Sequence, residues 1–183
     1  PVILAGMEKM SKSKSNGVDP QALIDLYGAD TARLYTMFAA PPEQSLEWRD
    51  DGVFGAHKFI KRLWKLYQDN GLIAASQIDF ATLNKEQKAL YAKAHETIAK
   101  VSDDYGRRHS FNTAIAAIME LTNAIAKFKA ADDSDKAVLK FALDMAITLI
   151  SPVAPHMAQS LWQAAGNEDL LKHQKGVLLE YSY

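Results

Sequence analysis

The feature that most constrains the fold is a series of long helical segments that begins near residue 50. From there to residue 166, apolar side chains recur every three or four positions, which is the spacing of one buried helix face. The recurring positions are Phe59, Ile60, Leu63, Trp64 and Tyr67, then Leu90, Ala94, Ile98, Val101 and Tyr105, then Ile115, Ile118, Met119, Leu121, Thr122 and Ile125, then Val138, Ala142, Met145 and Leu149. Four long segments and a short one, joined by brief loops, predict a helix bundle.

The first 49 residues have a different character, because Gly and Pro divide them into short pieces. Asp19 and Pro20 are typical of the N-cap and first position of a helix, and Gly28 is typical of its end. Asp30 is placed to cap a second helix, which the prolines from Pro41 onward must end. Two short helices are therefore expected ahead of the bundle.

Short apolar runs at residues 2–4 and 45–48 predict strands beside these two helices. The expected fold class is mainly α, with a small α/β connecting fold followed by a helix bundle. Residues 1–49 form the connecting fold in this prediction, residues 50–166 form the bundle, and residues 167–183 are a tail of unclear origin to which we assign no role.

Composition and charge exclude several classes of protein. The 183 residues include no cysteine, so disulfide frameworks, Cys-ligated zinc, iron–sulfur clusters and thiolate nucleophiles are excluded. No uncharged run approaches the roughly 20 residues that span a membrane, and no basic region precedes the apolar start. With 21 basic and 22 acidic side chains the net charge is −1, so any nucleic-acid binding requires a local basic patch. No metal cluster is expected.

The sharpest local feature is the run Lys9-Met10-Ser11-Lys12-Ser13. Composition alone allows a solvated linker, since Lys and Ser are common in linkers. The alternative is a phosphate-handling loop, because two lysine ammonium groups around a small hydroxyl can close over a polyphosphate. It is not a P-loop, because no Gly-Lys-Ser/Thr follows a spaced Gly. The residues alone leave both interpretations open.

The wider sequence extends this pattern. Lys9 to Ser13 match the Lys-Met-Ser-Lys-Ser motif of class I aminoacyl-tRNA synthetases, and the chain resembles bacterial leucyl-tRNA synthetases over roughly residues 5–165. The runs that carry this resemblance are residues 6–14, 16–20, 27–31, 33–34, 37–42, 46–48, 59–64, 107–108, 111–115, 155–156 and 161–162.

The resemblance implies an activity, a mechanism and a set of partners. Enzymes of this family activate leucine with ATP and transfer it to tRNA(Leu), in the cytoplasm and with Mg in the full-length enzyme. The second lysine of the motif, here Lys12, neutralises charge on the leaving pyrophosphate with help from Lys9. Met10, Ser11 and Ser13 complete the loop at the ATP phosphates, and the bundle is of the anticodon-binding type. The implied partners are tRNA(Leu), leucine and ATP, and no membrane.

Other parts of the family's apparatus are missing from this sequence. The family holds adenosine with a His-x-Gly-His motif, and none of the five histidines here is followed by Gly and then His. The leucine pocket and the editing region have no counterpart either. We therefore expect this segment by itself to hold no cofactor and to lack aminoacylation activity.

A second group of candidate residues lies in the helix predicted around residue 60. At 100° per residue, four basic side chains fall within an arc of about 120° opposite the apolar stripe. No acid occurs between Val53 and Gln68. A solvated face is the usual fate of such charges, whereas the resemblance implies a face that contacts tRNA. The four residues are Lys58, Lys61, Arg62 and Lys65.

Arg107 and Arg108, at a predicted helix junction, form another candidate tRNA-binding spot. Contacts of this kind provide affinity and register through phosphates and carry no base information.

Two rival functions stay open. The first is a segment of an isoleucyl-, valyl- or methionyl-tRNA synthetase, against which the run from Met37 to Trp48 argues. The second is a non-catalytic helical interaction module with a flexible Lys/Ser tail, which would show no electrostatic salt slope with tRNA.

Overall fold

The structure, a computed structural model, describes residues 8–11, 16–70, 77–167 and 170. Within those ranges the chain forms seven α-helices and one π-helical turn, and none of the residues belongs to a β-strand. The helices are α1 (Pro20–Tyr27), α2 (Ala29–Ala39), α3 (Asp50–Asn70), α4 (Lys85–Asp103), α5 (Phe111–Lys127), α6 (Asp133–Ile150) and α7 (Pro155–Ala164). The π-helical turn, Asp104–Arg108, connects α4 to α5.

The mainly α class is confirmed, whereas the strand predicted at residues 45–48 is wrong. These residues belong to an irregular connection between α2 and α3. The Tyr35 hydroxyl donates to the Glu47 carbonyl oxygen at 3.1 Å and accepts from the Arg49 N–H at 2.8 Å. A side chain of α2 therefore satisfies backbone groups that a neighbouring strand would otherwise bond. The strand predicted at residues 2–4 lies outside the described residues.

The cap signals ahead of the bundle are confirmed for α1. Asp19 is its N-cap and accepts from the Gln21 N–H at 3.0 Å, Pro20 opens the helix, and Gly28 ends it with φ of 85°. That positive φ is one that glycine adopts without strain. The prediction that Asp30 caps α2 is wrong, because its carboxylate lies at the start of α7 instead.

The core of the bundle lies between α4, α5 and α6, with α3 and α7 packed against them. Each of these helices buries one apolar stripe, and α2 adds Leu34 and Tyr35 to the same continuous cluster. Full burial of one such side chain stabilises the fold by roughly 1.5–3 kcal/mol. The apolar stripe of α3 consists of Val53, Ala56, Phe59, Leu63 and Tyr67, and this fixes which face of α3 is left to solvent.

Polar side chains add specific links between the bundle helices. Gln87 and Asp135 belong to capping boxes at the starts of α4 and α6, and the Gln87 amide donates to the Asp135 carboxylate at 2.8 Å. The buried Tyr67 hydroxyl of α3 donates to Asp144 of α6 at 2.8 Å. Burial and the neighbouring Asp144 charge both raise the pKa of Tyr67, so its hydroxyl stays a donor.

Candidate nucleic-acid interface

The four basic residues predicted around residue 60 lie on one exposed face of α3. Lys58, Lys61, Arg62 and Lys65 are all exposed, and the buried stripe of the same helix faces the core. The helix has acids at its start and at Asp69 near its end, and none between Val53 and Gln68. We call Lys58, Lys61, Arg62 and Lys65 the α3 basic face.

Three members of the α3 basic face have no acidic partner among the described residues. Lys65 forms an ion pair of 2.8 Å with Asp69, one helical turn later. The Lys58 ammonium instead lies 4.3 Å from the centre of the Phe54 ring, and the Arg62 guanidinium lies 5.8 Å from that of Phe59. Lys58, Lys61 and Arg62 form no ion pair with any residue that the structure describes. They are therefore available to an external anion without breaking a salt bridge.

An open groove of about 1020 Å³ runs beside the α3 basic face, between the first half of α3 and the end of α2. Lys58 and Arg62 lie on its border, and the Arg49 guanidinium, also on it, pairs with Asp51 at 2.9 Å. Lys58 and Arg62 therefore border a concave surface, which Glu47 and Asp51 also line.

The second predicted basic spot has a different electrostatic setting. Arg107 donates twice to Asp103, at 2.6 Å and 2.8 Å, and Arg108 lies 3.3 Å from Asp104. The hydrogen bond from Arg107 holds the pKa of Asp103 below its usual value. Both arginine charges are offset by aspartates one turn earlier, so this spot attracts an anion less strongly than the α3 basic face.

Asp104 is fully buried at the start of the π-helical turn, where it organises the local structure. Its carboxylate accepts from the Thr113 hydroxyl at 2.6 Å and from the Lys100 ammonium at 2.9 Å. Burial acts to raise the pKa of Asp104, but these two bonds and the charges of Lys100 and Arg108 outweigh it, and the pKa lies below its usual value. The carboxylate is therefore a fixed negative charge inside the junction.

The Asn16 side chain bonds the described part of the lysine loop, the name we give to Lys9 through Ser13. Asn16 accepts from the Ser11 N–H at 2.8 Å and donates to the Lys9 carbonyl oxygen at 3.3 Å. Lys9 and Met10 are exposed, and Ser11 is half-buried. Lys12 and Ser13 lie outside the described residues.

Sequence reasoning missed two features of these sites. The pairs Lys65–Asp69, Asp103–Arg107 and Asp104–Arg108 are spaced four apart on helical segments, which is the spacing of neighbours on one helix face. Checking each basic residue for an acid at that distance would have separated the free cations from the paired ones. Asn16 had no such signal, because a loop has no fixed period.

No group of three or more His, Asp or Glu side chains that could hold a metal ion occurs in the part of the chain that the structure describes. Over the same part, none of the helices combines the length and the apolar character that crossing a membrane requires.

Two protein families match this chain. Residues 87–182 match the family described as the anticodon-binding domain of tRNA ligase, and residues 3–49 match the class I tRNA synthetases for isoleucine, leucine, methionine and valine. The first match runs through most of residues 167–183, for which the sequence suggested no origin.

Individual relatives agree with these families. A leucine–tRNA ligase of Stenotrophomonas maltophilia is 57% identical over 176 residues, covering 95% of this chain and 20% of that protein. One of Xanthomonas oryzae pv. oryzae is 57% identical over 172 residues, covering 93% of this chain and 20% of that protein. The chain thus spans about a fifth of the length of these relatives.

Solved structures show the same relationship. The agnB2 LeuRS of Agrobacterium radiobacter K84, solved in a ternary complex with tRNA and LeuAMS, matches with a TM-score of 0.78 and 31% identity over 88% of this chain and 21% of that one. An apo methionyl-tRNA synthetase of Mycobacterium tuberculosis shares the fold, with a TM-score of 0.61 at 19% identity over 82% of this chain and 35% of that one. This chain therefore belongs to the anticodon-binding domain family of tRNA ligases, and nearly all of it is similar to a segment that makes up about one fifth of the length of bacterial leucine–tRNA ligases.

Proposed function

We propose that this chain is the part of a leucine–tRNA ligase that docks tRNA and supplies the lysine loop for leucine activation. The observation that carries the proposal is the 57% identity to leucine–tRNA ligases across 95% of the chain. In this proposal residues 1–49 carry the loop and its connecting helices, and residues 50–166 form the tRNA-docking bundle. The complete ligase acts in the cytoplasm on leucine, ATP and tRNA(Leu).

The lysine loop acts on charge that develops during activation. When the leucine carboxylate attacks the α-phosphate of ATP, the bond to pyrophosphate breaks and negative charge grows on the leaving group. Lys12, assisted by Lys9, neutralises that charge, while Met10, Ser11 and Ser13 shape the loop around the phosphates. Such contacts accelerate the reaction only where they are stronger in the transition state than with resting ATP.

Magnesium enters this proposal with the nucleotide. The described residues include no cluster of carboxylates or histidines that could hold a divalent ion. In this proposal Mg²⁺ is bound by the ATP phosphates.

The α3 basic face docks the tRNA backbone in this proposal. Lys58, Lys61 and Arg62 are exposed and form no ion pair with a described residue, so phosphates can replace water around them at little cost. Lys65 contributes less to tRNA binding because it forms an ion pair with Asp69. Arg107 and Arg108 contribute still less, because Asp103 and Asp104 offset their charges. Phosphate contacts of this kind orient the tRNA without reading its bases.

The test replaces Lys61 and Arg62 together by Gln and measures tRNA affinity between low and moderate salt. Each lost phosphate contact reduces the magnitude of the slope of log affinity against log salt by roughly 0.7–0.9, so a reduction of about 1.4–1.8 is expected for the pair. The matched control, Lys127→Gln with Lys129→Gln, removes the same charge from two other exposed positions. Thermal melting checks that both variants stay folded.

Two outcomes would refute the docking role. If the Lys61/Arg62 variant and its control shift affinity and slope equally, the α3 basic face is a solvated surface. If the unmodified chain binds tRNA with no salt slope at all, the chain is a helical interaction module instead. Weakening should be similar for cognate and non-cognate tRNA.

A further inference from the structure

Two charged side chains of α2 reach across the molecule to the turn that joins α6 to α7. Asp30 and Arg33 lie one helical turn apart on α2. Asp30 contacts the backbone of His156, which is 126 residues later in the chain, and Arg33 contacts that of Val153, which is 120 residues later. We call these two residues and their bonds the α2 clamp.

Asp30 binds the start of α7. Its carboxylate accepts from the Met157 N–H at 2.7 Å, from the His156 N–H at 3.4 Å and from Nδ1 of the His156 ring at 2.8 Å. The first N–H groups of a helix have no partner within the helix, and the N-cap residue here, Ala154, has no side-chain acceptor to offer. A carboxylate from α2 therefore does the work of the missing cap.

Arg33 binds the other side of the same turn. Its Nε donates to the Val153 carbonyl oxygen at 3.0 Å, and its Nη2 donates to the Pro152 carbonyl oxygen at 2.7 Å. The two carbonyls follow the C-terminal end of α6, where the helix dipole favours a cation such as Arg33. Asp30 lies at the N-terminal end of α7, where the helix dipole favours an anion. The two opposite charges fix the direction of α2 as well as its place.

The lysine loop connects to the bundle through α1 and α2. None of the residues of α1 is fully buried, whereas α2 buries Leu34 and Tyr35 in the common core. Besides its packing on α2, α1 meets α3 where the Tyr27 ring lies edge-on to His57, with centroids 5.3 Å apart. The orientation of α2 therefore governs where the residues that precede it lie.

We infer that Asp30 and Arg33 are positioning residues that set the place of the lysine loop relative to the bundle, and so relative to a tRNA on the α3 basic face. The consequence for catalysis rests on the proposed function above. The consequence for geometry does not, because it concerns only how the N-terminal helices sit on the bundle.

The geometric part can be tested on the 183-residue chain, which has no cysteine and so accepts two spin labels at chosen positions. Val18→Cys reports on the segment after the loop, and Asn123→Cys, exposed on α5, reports on the bundle. The Asp30→Asn, Arg33→Gln double variant should shift or broaden the distance distribution between the labels. Gln87→Leu, which removes a buried polar link between α4 and α6, is the matched control and should leave the distribution unchanged.

The catalytic part uses the complete ligase and leucine-dependent pyrophosphate exchange. A loop displaced by about 1 Å lowers a rate by up to roughly 100-fold, so kcat should fall by roughly 10- to 100-fold in the double variant while KM for leucine stays within about twofold. The single variant Arg33→Lys keeps the positive charge but cannot form both bonds of Arg33, so its kcat should lie between those of the wild type and the double variant. Gln87→Leu should lower the melting temperature but not kcat.

The outcomes separate the two proposals. Unchanged label distances in the double variant overturn the inference. Altered distances with normal exchange also overturn the positioning role, provided that Lys12→Ala in the same ligase lowers exchange by roughly 100-fold or more. If Lys12→Ala leaves exchange intact as well, the proposed function of the loop is the part that fails.

Discussion

The neighbouring acids Asp103 and Asp104 allow a sharp test of what holds the α4–α5 junction together. Each pairs with an arginine four residues later, but Asp104 is fully buried and Asp103 is half-exposed. Breaking a buried ion pair from one side costs about 3–5 kcal/mol. Lys100 and Arg108 are 46% and 50% exposed and can turn to water, so the cost of Asp104→Asn should lie at or just below the low end of that range, at about 2–3 kcal/mol.

Thermal unfolding followed by circular dichroism measures this difference. For a chain of this size, 1 kcal/mol shifts the melting temperature by roughly 2–4 °C, so Asp104→Asn should lower it by about 4–12 °C. Asp103→Asn is the control and should change it little, because its partner Arg107 is 76% exposed. Equal shifts for the two variants would refute the reasoning that burial decides the contribution.

The same carboxylate predicts a dependence on pH. Because the pKa of Asp104 is lower in the folded chain, its stabilising contribution is fully present above the unfolded pKa of about 3.9 and is lost as pH falls through the folded value. Asp135, whose pKa is held down first by the Ala131 N–H, behaves alike. The gap in melting temperature between the wild type and Asp104→Asn should therefore narrow below about pH 4.

Two further predictions concern the lysine loop and α3. In the complete ligase, Lys12→Ala should lower leucine-dependent pyrophosphate exchange by roughly 100- to 1000-fold with little change in leucine affinity, and near-normal exchange would show that Lys12 does not act on the transition state. Gly55→Ala should raise the melting temperature, because open space surrounds the new methyl group and Ala is more favourable than Gly in a helix by up to about 1 kcal/mol. Gly52→Ala should lower it, because the new methyl group would lie 2.7 Å from the Tyr35 ring. A higher melting temperature for Gly52→Ala than for Gly55→Ala would contradict the packing.

Signals that act within a few residues predicted the helices well. The stop at Gly28 and the cap at Asp19 are correct because both depend on the backbone next to them. The start of α6 has a less specific signal, because Asp132, Asp133 and Ser134 are all of a type that favours the N-cap; in the structure Asp132 is the N-cap, in a capping box with Asp135. The Asp135 carboxylate accepts from the N–H groups of Ala131 and Asp132 and from the Gln87 amide, and these bonds hold it at the inner position of the box.

Contacts between distant segments could not be predicted. Asp30 follows a helix-ending glycine and therefore looked like a local cap, yet its partners lie at His156 and Met157. The irregular path of residues 45–48 depends in the same way on the hydroxyl of Tyr35. In the candidate site, the helical period predicted the α3 basic face. The neutralising roles of Asp103 and Asp104 were missed, although checking for acids four residues from each arginine would have found them in the sequence.

The distance along the chain between Asp30 and its α7 partners also has a consequence in time. A ribosome adds about 5–20 residues per second, so the 127 positions between Asp30 and Met157 take roughly 6–25 s to synthesise. Throughout that interval the aspartate has no α7 to bind, and its charge must stay hydrated. The contact between α2 and α7 can therefore form only after α7 has left the ribosome, so the final seating of α2 comes late relative to the synthesis of α2 itself.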